Sequence, residues 1–239
     1  MANIQPPPAY AGTPAMTRLP ASTTLYRVHP AGYPAHAFNP VPAHRYYGGG
    51  RFDATDDDQY PYLYAGESLE AAIAEMLRDL PCDAAGTRHL PLSAITGRRI
   101  STVITTSDLN LVSLRTAADL GAVGQDAWLT SCEPSCYPQS RFWAHWIRAH
   151  APTAAGLVWM SPREPTQQAF VLFGDRTPAA AIITSANPLL PPGFDADLDT
   201  RSGRRAISRF LATYNVVLSP PSQHERSAPE ARHVSAAWR

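Results

Sequence analysis

The sequence predicts an α+β domain of many short strands and few helices, spanning about residues 22–218 between two Pro-rich tails. Three observations predict it. Short apolar and β-branched runs recur along the chain, among them TLYRVH, RISTVIT, GLVWM and AFVLF. Each has the length of a strand rather than a helix. Only a few segments carry apolar residues at helical spacing, and no internal repeat appears.

Composition narrows the class. The chain has 239 residues, 44% of them apolar, which is enough for a full core. Lys+Arg and Asp+Glu are equal at 20 each. That balance gives no support to nucleic-acid or membrane-surface binding. Three cysteines, an odd number, argue against a disulfide framework and for a reducing compartment. No apolar run approaches the roughly 18 residues of a membrane span. The first twenty residues lack a basic stretch followed by an apolar one, so no Sec-type signal is read and a cytoplasmic location is expected.

The elements follow in order. Residues 1–21 carry five prolines and few large apolar groups, and are expected to be a disordered or polyproline-like tail. Residues 24–29 read as a strand, with Tyr26 and Val28 on one face and Leu25, Arg27 and His29 on the other. Residues 30–44 are an irregular loop, and Gly48, Gly49 and Gly50 make a tight turn. Asp56, Asp57 and Asp58 lack the alternating ligands of a calcium loop and read as a solvated turn. Residues 62–65 form a strand. Ser68 is a good N-cap. Leu69, Ile73, Met76, Leu77 and Leu80 give a helical apolar stripe that Pro81 closes, with Glu75 in mid-helix beside it. Strands are expected at 99–105 and 108–114, and a helix start at 116–120. An aromatic-rich helix is expected at 140–150, strands at 156–160, 169–173 and 180–184, and a terminal helix at 203–214. Residues 219–239 form a second loose tail.

Several chemistries fall away. The glycines are not followed by Gly-Lys-Ser/Thr, no G-x-G-x-x-G opens a helix and no G-x-S-x-G is present. Cys132 and Cys136 with His145 and His150 offer only loose metal spacing around Pro134 and Pro138, so no metal site is expected. The informative stretch is residues 46–79. There a triple glycine allows close backbone approach, Arg51 supplies a planar fork for phosphate or carboxylate, and a short strand and a helix bring Tyr64 and Glu75. On periodicity alone Glu75 reads first as a solvated helix residue, while Arg27 could be a strand-surface residue, Tyr64 core and Ser161 a strand end.

LYRVH, GGGRFD, YLYAGES, AIAE and GLVWMSPRE occur in this order and are followed by AFVLF. This pattern resembles the RES-domain family over about residues 24–175. The resemblance places the family's eponymous Arg, Glu and Ser on Arg51, Glu75 and Ser161, and two further pocket positions on Arg27 and Tyr64. It implies an ADP-ribosyltransferase-like fold, NAD+ as a substrate with no separate cofactor, and a toxin neutralised by an Xre-type helix-turn-helix antitoxin. On this reading Glu75 stabilises positive charge on the ribose as nicotinamide leaves. Arg27 and Arg51 hold the pyrophosphate, Tyr64 packs on nicotinamide or fixes a ribose, and Ser161 donates to the substrate. The expected activity is NAD+ glycohydrolase or phosphorylase. The alternatives are mono-ADP-ribosylation of a protein and an inactive nucleotide- or partner-binding module. Ile73 stands where transferases of this fold often carry a second acidic residue, which lowers the expectation of protein modification.

Overall fold

The computed structural model describes residues 4–7, 9, 12–77, 80, 82–185 and 190–220. Its strands are β1 (Met16–Leu19), β2 (Thr24–Pro30), β3 (Tyr62–Gly66), β4 (Arg88–Pro91), β5 (Arg98–Thr105), β6 (Leu109–Leu114), β7 (Gly156–Ser161), β8 (Glu164–Phe173), β9 (Ile182–Thr184) and β10 (Val216–Ser219). Its helices are α1 (Leu69–Ala74), α2 (Ala117–Ala122), α3 (Trp128–Ser131), α4 (Tyr137–His150) and α5 (Arg201–Ala212). Eight strands form one mixed sheet in the order β1-β6-β7-β8-β3-β2-β5-β9, and β10 pairs with β4 in a second, two-stranded sheet. Only β6–β7 and β4–β10 are parallel. The α+β expectation describes this architecture.

Strand alternation explains why the central runs are apolar throughout. On β8, Ala169, Val171 and Phe173 join one core cluster while Phe170 and Leu172 join another. On β7, Leu157 and Trp159 face the first and Val158 the second. Both faces are buried, so no polar residue interrupts. α4 covers the first face with Trp143, Ala144 and Ile147. A third cluster gathers Leu69, Ile73 and Leu77 with Ile207 and Leu211 of α5, and Phe210 packs half-buried against it. No helix among the described residues is long and apolar enough to cross a membrane.

Several expectations are corrected. Residues 16–19, assigned to the N-terminal tail, form the edge strand β1 against β6. Pro14 and Pro20 flank this strand without interrupting its ladder, Leu19 is buried, and Arg18 pairs with Asp108. The helix begun by Ser68 is shorter than its apolar stripe suggests. It passes into a 3-10 turn at Glu75–Leu77, so Glu75 sits at the helix end and not in its middle. The aromatic helix starts earlier, at Tyr137, because Pro138 suits a first helical turn. β8 extends back to Glu164 through polar residues exposed beyond the core. β4 and β10 were not expected, since each is held mainly by the other across the chain. Asp58 is not merely solvated: it pairs with the buried Arg148 at 2.9 Å. Pro81 and residues 221–239 of the expected C-terminal tail lie outside the described residues.

The sheet carries one seam. β2 and β3 are neighbours, yet they pair at a single position, Tyr26 opposite Gly66. Beyond it the strands part. The residues that would otherwise continue the ladder line a common cavity together with Tyr26: Arg27, Val28 and Pro30 from β2, and Tyr62, Tyr64 and Ala65 from β3.

Candidate functional site

The cavity in this seam has a volume of about 270 Å³ and also receives Arg51, Asp53, Glu75 and Tyr137. A second cavity, of about 260 Å³, is lined by Arg51, Glu75, Cys132, Tyr137 and Arg163. The two share Arg51, Glu75 and Tyr137. Four of the five expected site residues, Arg27, Arg51, Tyr64 and Glu75, therefore meet at one place, although they come from distant parts of the chain.

Arg27 enters from β2, on the same face as Leu25 and His29. Its Nη1 donates to the carbonyls of Ala35 and Ala37, so the loop after β2 wraps the guanidinium. Burial pulls its pKa down to about 9, which still leaves it charged at neutral pH.

Arg51 follows the glycine turn. Gly48 and Gly49 have φ of 56° and 76°, a left-handed pair that residues with a Cβ rarely adopt. Arg141 of α4, 1% exposed, fastens this turn. Its Nη1 donates to the carbonyl of Gly48 at 2.7 Å and its Nη2 to that of His44 at 3.0 Å. Arg51 itself is 7% exposed. Its Nη1 donates to the Cys132 carbonyl at 2.9 Å and touches Cys132 Sγ at 3.1 Å. The guanidinium also lies over the Tyr137 ring, 5.0 Å from its centroid. Among the described residues, neither Arg27 nor Arg51 forms an ion pair.

Glu75 is delivered by α1. The Ser68 hydroxyl accepts from Ala71 N at 3.0 Å and fixes the start of the helix. The helix then places Glu75 half-buried at its far end. Among the described residues its carboxylate has no cationic partner. Ser161 Oγ donates to Glu75 Oε1 at 2.8 Å. A β-bulge at Met160/Ser161 interrupts the β7–β8 register at this serine. Ser161 is fully buried and lines neither cavity. Its hydroxyl hydrogen is directed at Glu75 and not into either cavity.

Tyr64 lines the cavity with its ring, but its hydroxyl is engaged. It donates to Asp53 Oδ1 at 2.8 Å and accepts from Phe52 N at 2.9 Å. Burial, and then the charge of Asp53, push its pKa well above the ordinary tyrosine value. The geometry assigns this hydroxyl to the arginine loop and not to an open position for a ribose.

The sequence reading missed Asp53, Tyr137 and Arg141. Asp53 was visible in GGGRFD as an acid two residues after the arginine. Tyr137 and Arg141 carried no local signal, since only the packing of α4 brings them to the glycine turn. Among the described residues, no group of three or more His, Cys, Asp or Glu is placed to hold a metal ion. Cys132 instead faces Arg51, and burial raises its thiol pKa.

The site thus sets the guanidinium groups of Arg27 and Arg51 and the carboxylate of Glu75, none of them in an ion pair among the described residues, around a part-apolar cleft, while the second carboxylate, Asp53, has both oxygens taken by Gly50 N and the Tyr64 hydroxyl. Such a site is complementary to a ligand with an anionic body and one centre that becomes cationic. The model of the RES domain family matches residues 24–199. No curated protein sequence matches the chain. Among solved structures, the crystal structure of the M. tuberculosis MbcT-MbcA toxin-antitoxin complex is similar with a TM-score of 0.48 and 20% identity, covering 73% of this chain and 87% of that one.

Proposed function

The chain belongs to the RES domain family, and from that premise we propose that it consumes NAD+ by breaking the bond between nicotinamide and ribose. The observation that carries this reading is the meeting of Glu75 with Arg27 and Arg51 at one cavity, with no ion pair among them or to other described residues. NAD+ has matching parts. Its pyrophosphate is anionic, and two guanidinium groups oppose it with charge-assisted bonds worth roughly 1.5–3 kcal/mol each. Its nicotinamide is a cationic pyridinium that departs neutral. The leaving group needs no proton, so one carboxylate suffices where ordinary glycoside cleavage uses two.

In this reading Glu75 faces the nicotinamide ribose and stabilises the positive charge that grows on it as the bond breaks. Ser161 holds the carboxylate in place. The second cavity, which shares Glu75 and Arg51 with the first, gives water or inorganic phosphate a way to the same carbon. Water yields ADP-ribose and phosphate yields its 1″-phosphate. Ile73, two residues before Glu75, is fully buried in the core, so it supplies no second carboxylate to activate a protein acceptor. Depletion of NAD+ makes the chain a toxin, and its partner is an antitoxin of the Xre type that blocks the cavity.

Nicotinamide release tests the proposal. Wild type and Glu75→Ala are incubated with NAD+, with and without phosphate, and the products are separated by chromatography. Release by wild type alone is the expected result, and phosphate dependence distinguishes phosphorolysis from hydrolysis. No release by folded wild type that still binds NAD+ replaces this reading with a binding module.

A further inference from the structure

Asp53 is 3% exposed and forms no ion pair among the described residues. A carboxylate so placed is costly unless its oxygens are hydrogen-bonded. Both are. Oδ2 accepts from Gly50 N at 2.6 Å, and Oδ1 accepts from the Tyr64 hydroxyl at 2.8 Å. The same hydroxyl accepts from Phe52 N at 2.9 Å. Gly50 and Phe52 are the two chain neighbours of Arg51. The amides on either side of the arginine therefore end on one carboxylate–phenol pair, and the phenol is carried by β3, a central strand. A Cβ on Gly50 would stand 2.6 Å from Asp53 Oδ1 and 2.9 Å from the Tyr64 hydroxyl, so the glycine is what lets the loop close on the pair.

We propose that Asp53 and Tyr64 form a clamp that positions Arg51. Asp53 is then a positioning residue that acts through the loop backbone. Tyr64 serves the site through its hydroxyl's grip on Phe52 rather than by bonding a ribose. This inference rests on the reading in which Arg51 holds the pyrophosphate of NAD+. The clamp fixes the guanidinium before the ligand arrives, so binding does not bear the cost of ordering a glycine-rich loop.

The experiment has two arms. In the first, steady-state nicotinamide release is measured for wild type, Asp53→Asn, Tyr64→Phe and the double variant. Each single variant is expected to raise KM for NAD+ roughly tenfold, the equivalent of one charge-assisted hydrogen bond, and to change kcat less than about threefold. The double variant is expected to be no worse than the weaker single, because both break one clamp. Gly50→Ala, which forces the pair apart from the opposite side, should behave like Asp53→Asn. KM within twofold of wild type in both singles, or effects that multiply in the double, overturns the proposal. In the second arm, amide hydrogen exchange of Gly50 and Phe52 is read by NMR without ligand. Protection in wild type that is lost in Asp53→Asn supports the clamp. Unprotected amides in wild type, or unchanged exchange in a folded variant, overturn it. If wild type releases no nicotinamide, the functional reading fails and the exchange arm alone decides the clamp. If the variants do not fold, the wild-type amides decide it.

Discussion

Ser161 gives its hydroxyl hydrogen to Glu75 at 2.8 Å, across 86 positions of sequence. The serine is sealed from both cavities, so in the proposed reaction its route to the chemistry is through the carboxylate. Ser161→Ala is expected to lower kcat for nicotinamide release roughly 10- to 100-fold, the scale of a lost oriented hydrogen bond at a reacting centre. KM should stay within about twofold. Steady-state kinetics check this, and a rise in KM with kcat preserved would place the serine on the substrate instead.

Arg51 makes its contacts through a planar fork laid over Tyr137, with Nη1 on the Cys132 carbonyl. Arg51→Lys keeps the charge but loses both the stacking and the fork. KM for NAD+ should rise by roughly tenfold with a smaller change in kcat. Unchanged kinetics would move the pyrophosphate elsewhere.

Arg148 is buried away from the site. It donates through Nε to Asp58 at 2.9 Å and through Nη2 to Asp175 at 2.8 Å, and it lies over the rings of Tyr60 and Phe173. Burial opposes its charge, yet the two carboxylates outweigh this and raise its pKa. Arg148→Ala strands both acids beside an empty space. Both acids keep contact with water, being 30% and 39% exposed, so the loss should be about 1.5–3 kcal/mol in urea denaturation, while KM at a temperature where the variant is folded remains that of wild type. A loss under 1 kcal/mol would show that the triad is not a structural lock.

His29 gives a pH dependence with a definite sign. Burial first, and then the positive charge of Arg27, depress its pKa from 6.5 to about 4. Arg99 on β5 adds to the depression, while backbone hydrogen bonding at Pro30 and Tyr33 opposes it. Below pH 6.5 the unfolded chain binds a proton at His29 that the folded protein refuses until about pH 4. Its contribution to stability is therefore complete above pH 6.5 and is lost as the pH falls through that window. Between pH 7 and 4.5 wild type should lose about 2–3 kcal/mol through this group. Urea denaturation of His29→Gln should show a smaller loss over the same interval, and equal slopes for the two proteins would exclude His29 as the cause.

How far the sequence reached can be seen at particular residues. The apolar runs of β7 and β8 and the cap at Ser68 were legible because local chemistry determines them. Arg27, Arg51, Tyr64 and Glu75 stand out in their motifs, and the four line one cavity. What each side chain does was less legible. Tyr64 and Ser161 each spend their hydroxyl on another side chain of the protein, and hydrogen-bond partners 11 and 86 residues away leave no periodic trace. β1, β4 and β10 escaped notice because four-residue strands depend on their partners rather than on their own propensity. The seam between β2 and β3 also had no signature, since it is an absence of pairing between two strands that each look ordinary.

The sheet order has a consequence for the timing of synthesis. β3 is bordered on one side by β8 along five residue pairs and on the other by β2 at only one. Ser161, which steadies Glu75, arrives on β7, and β7 needs β8 beside it. Until Phe173 has left the ribosome, the growing chain holds the glycine turn, both arginines, the glutamate and two separate groups of pairing strands, β2 with β5 and β1 with β6 and β7, but not the strand that joins β3 to β7. A translating ribosome therefore carries the two flanking groups of strands for much of its passage along the message, and the cavity gains its wall of Ala169 and Phe170 only once β8 is available to zip the centre of the sheet.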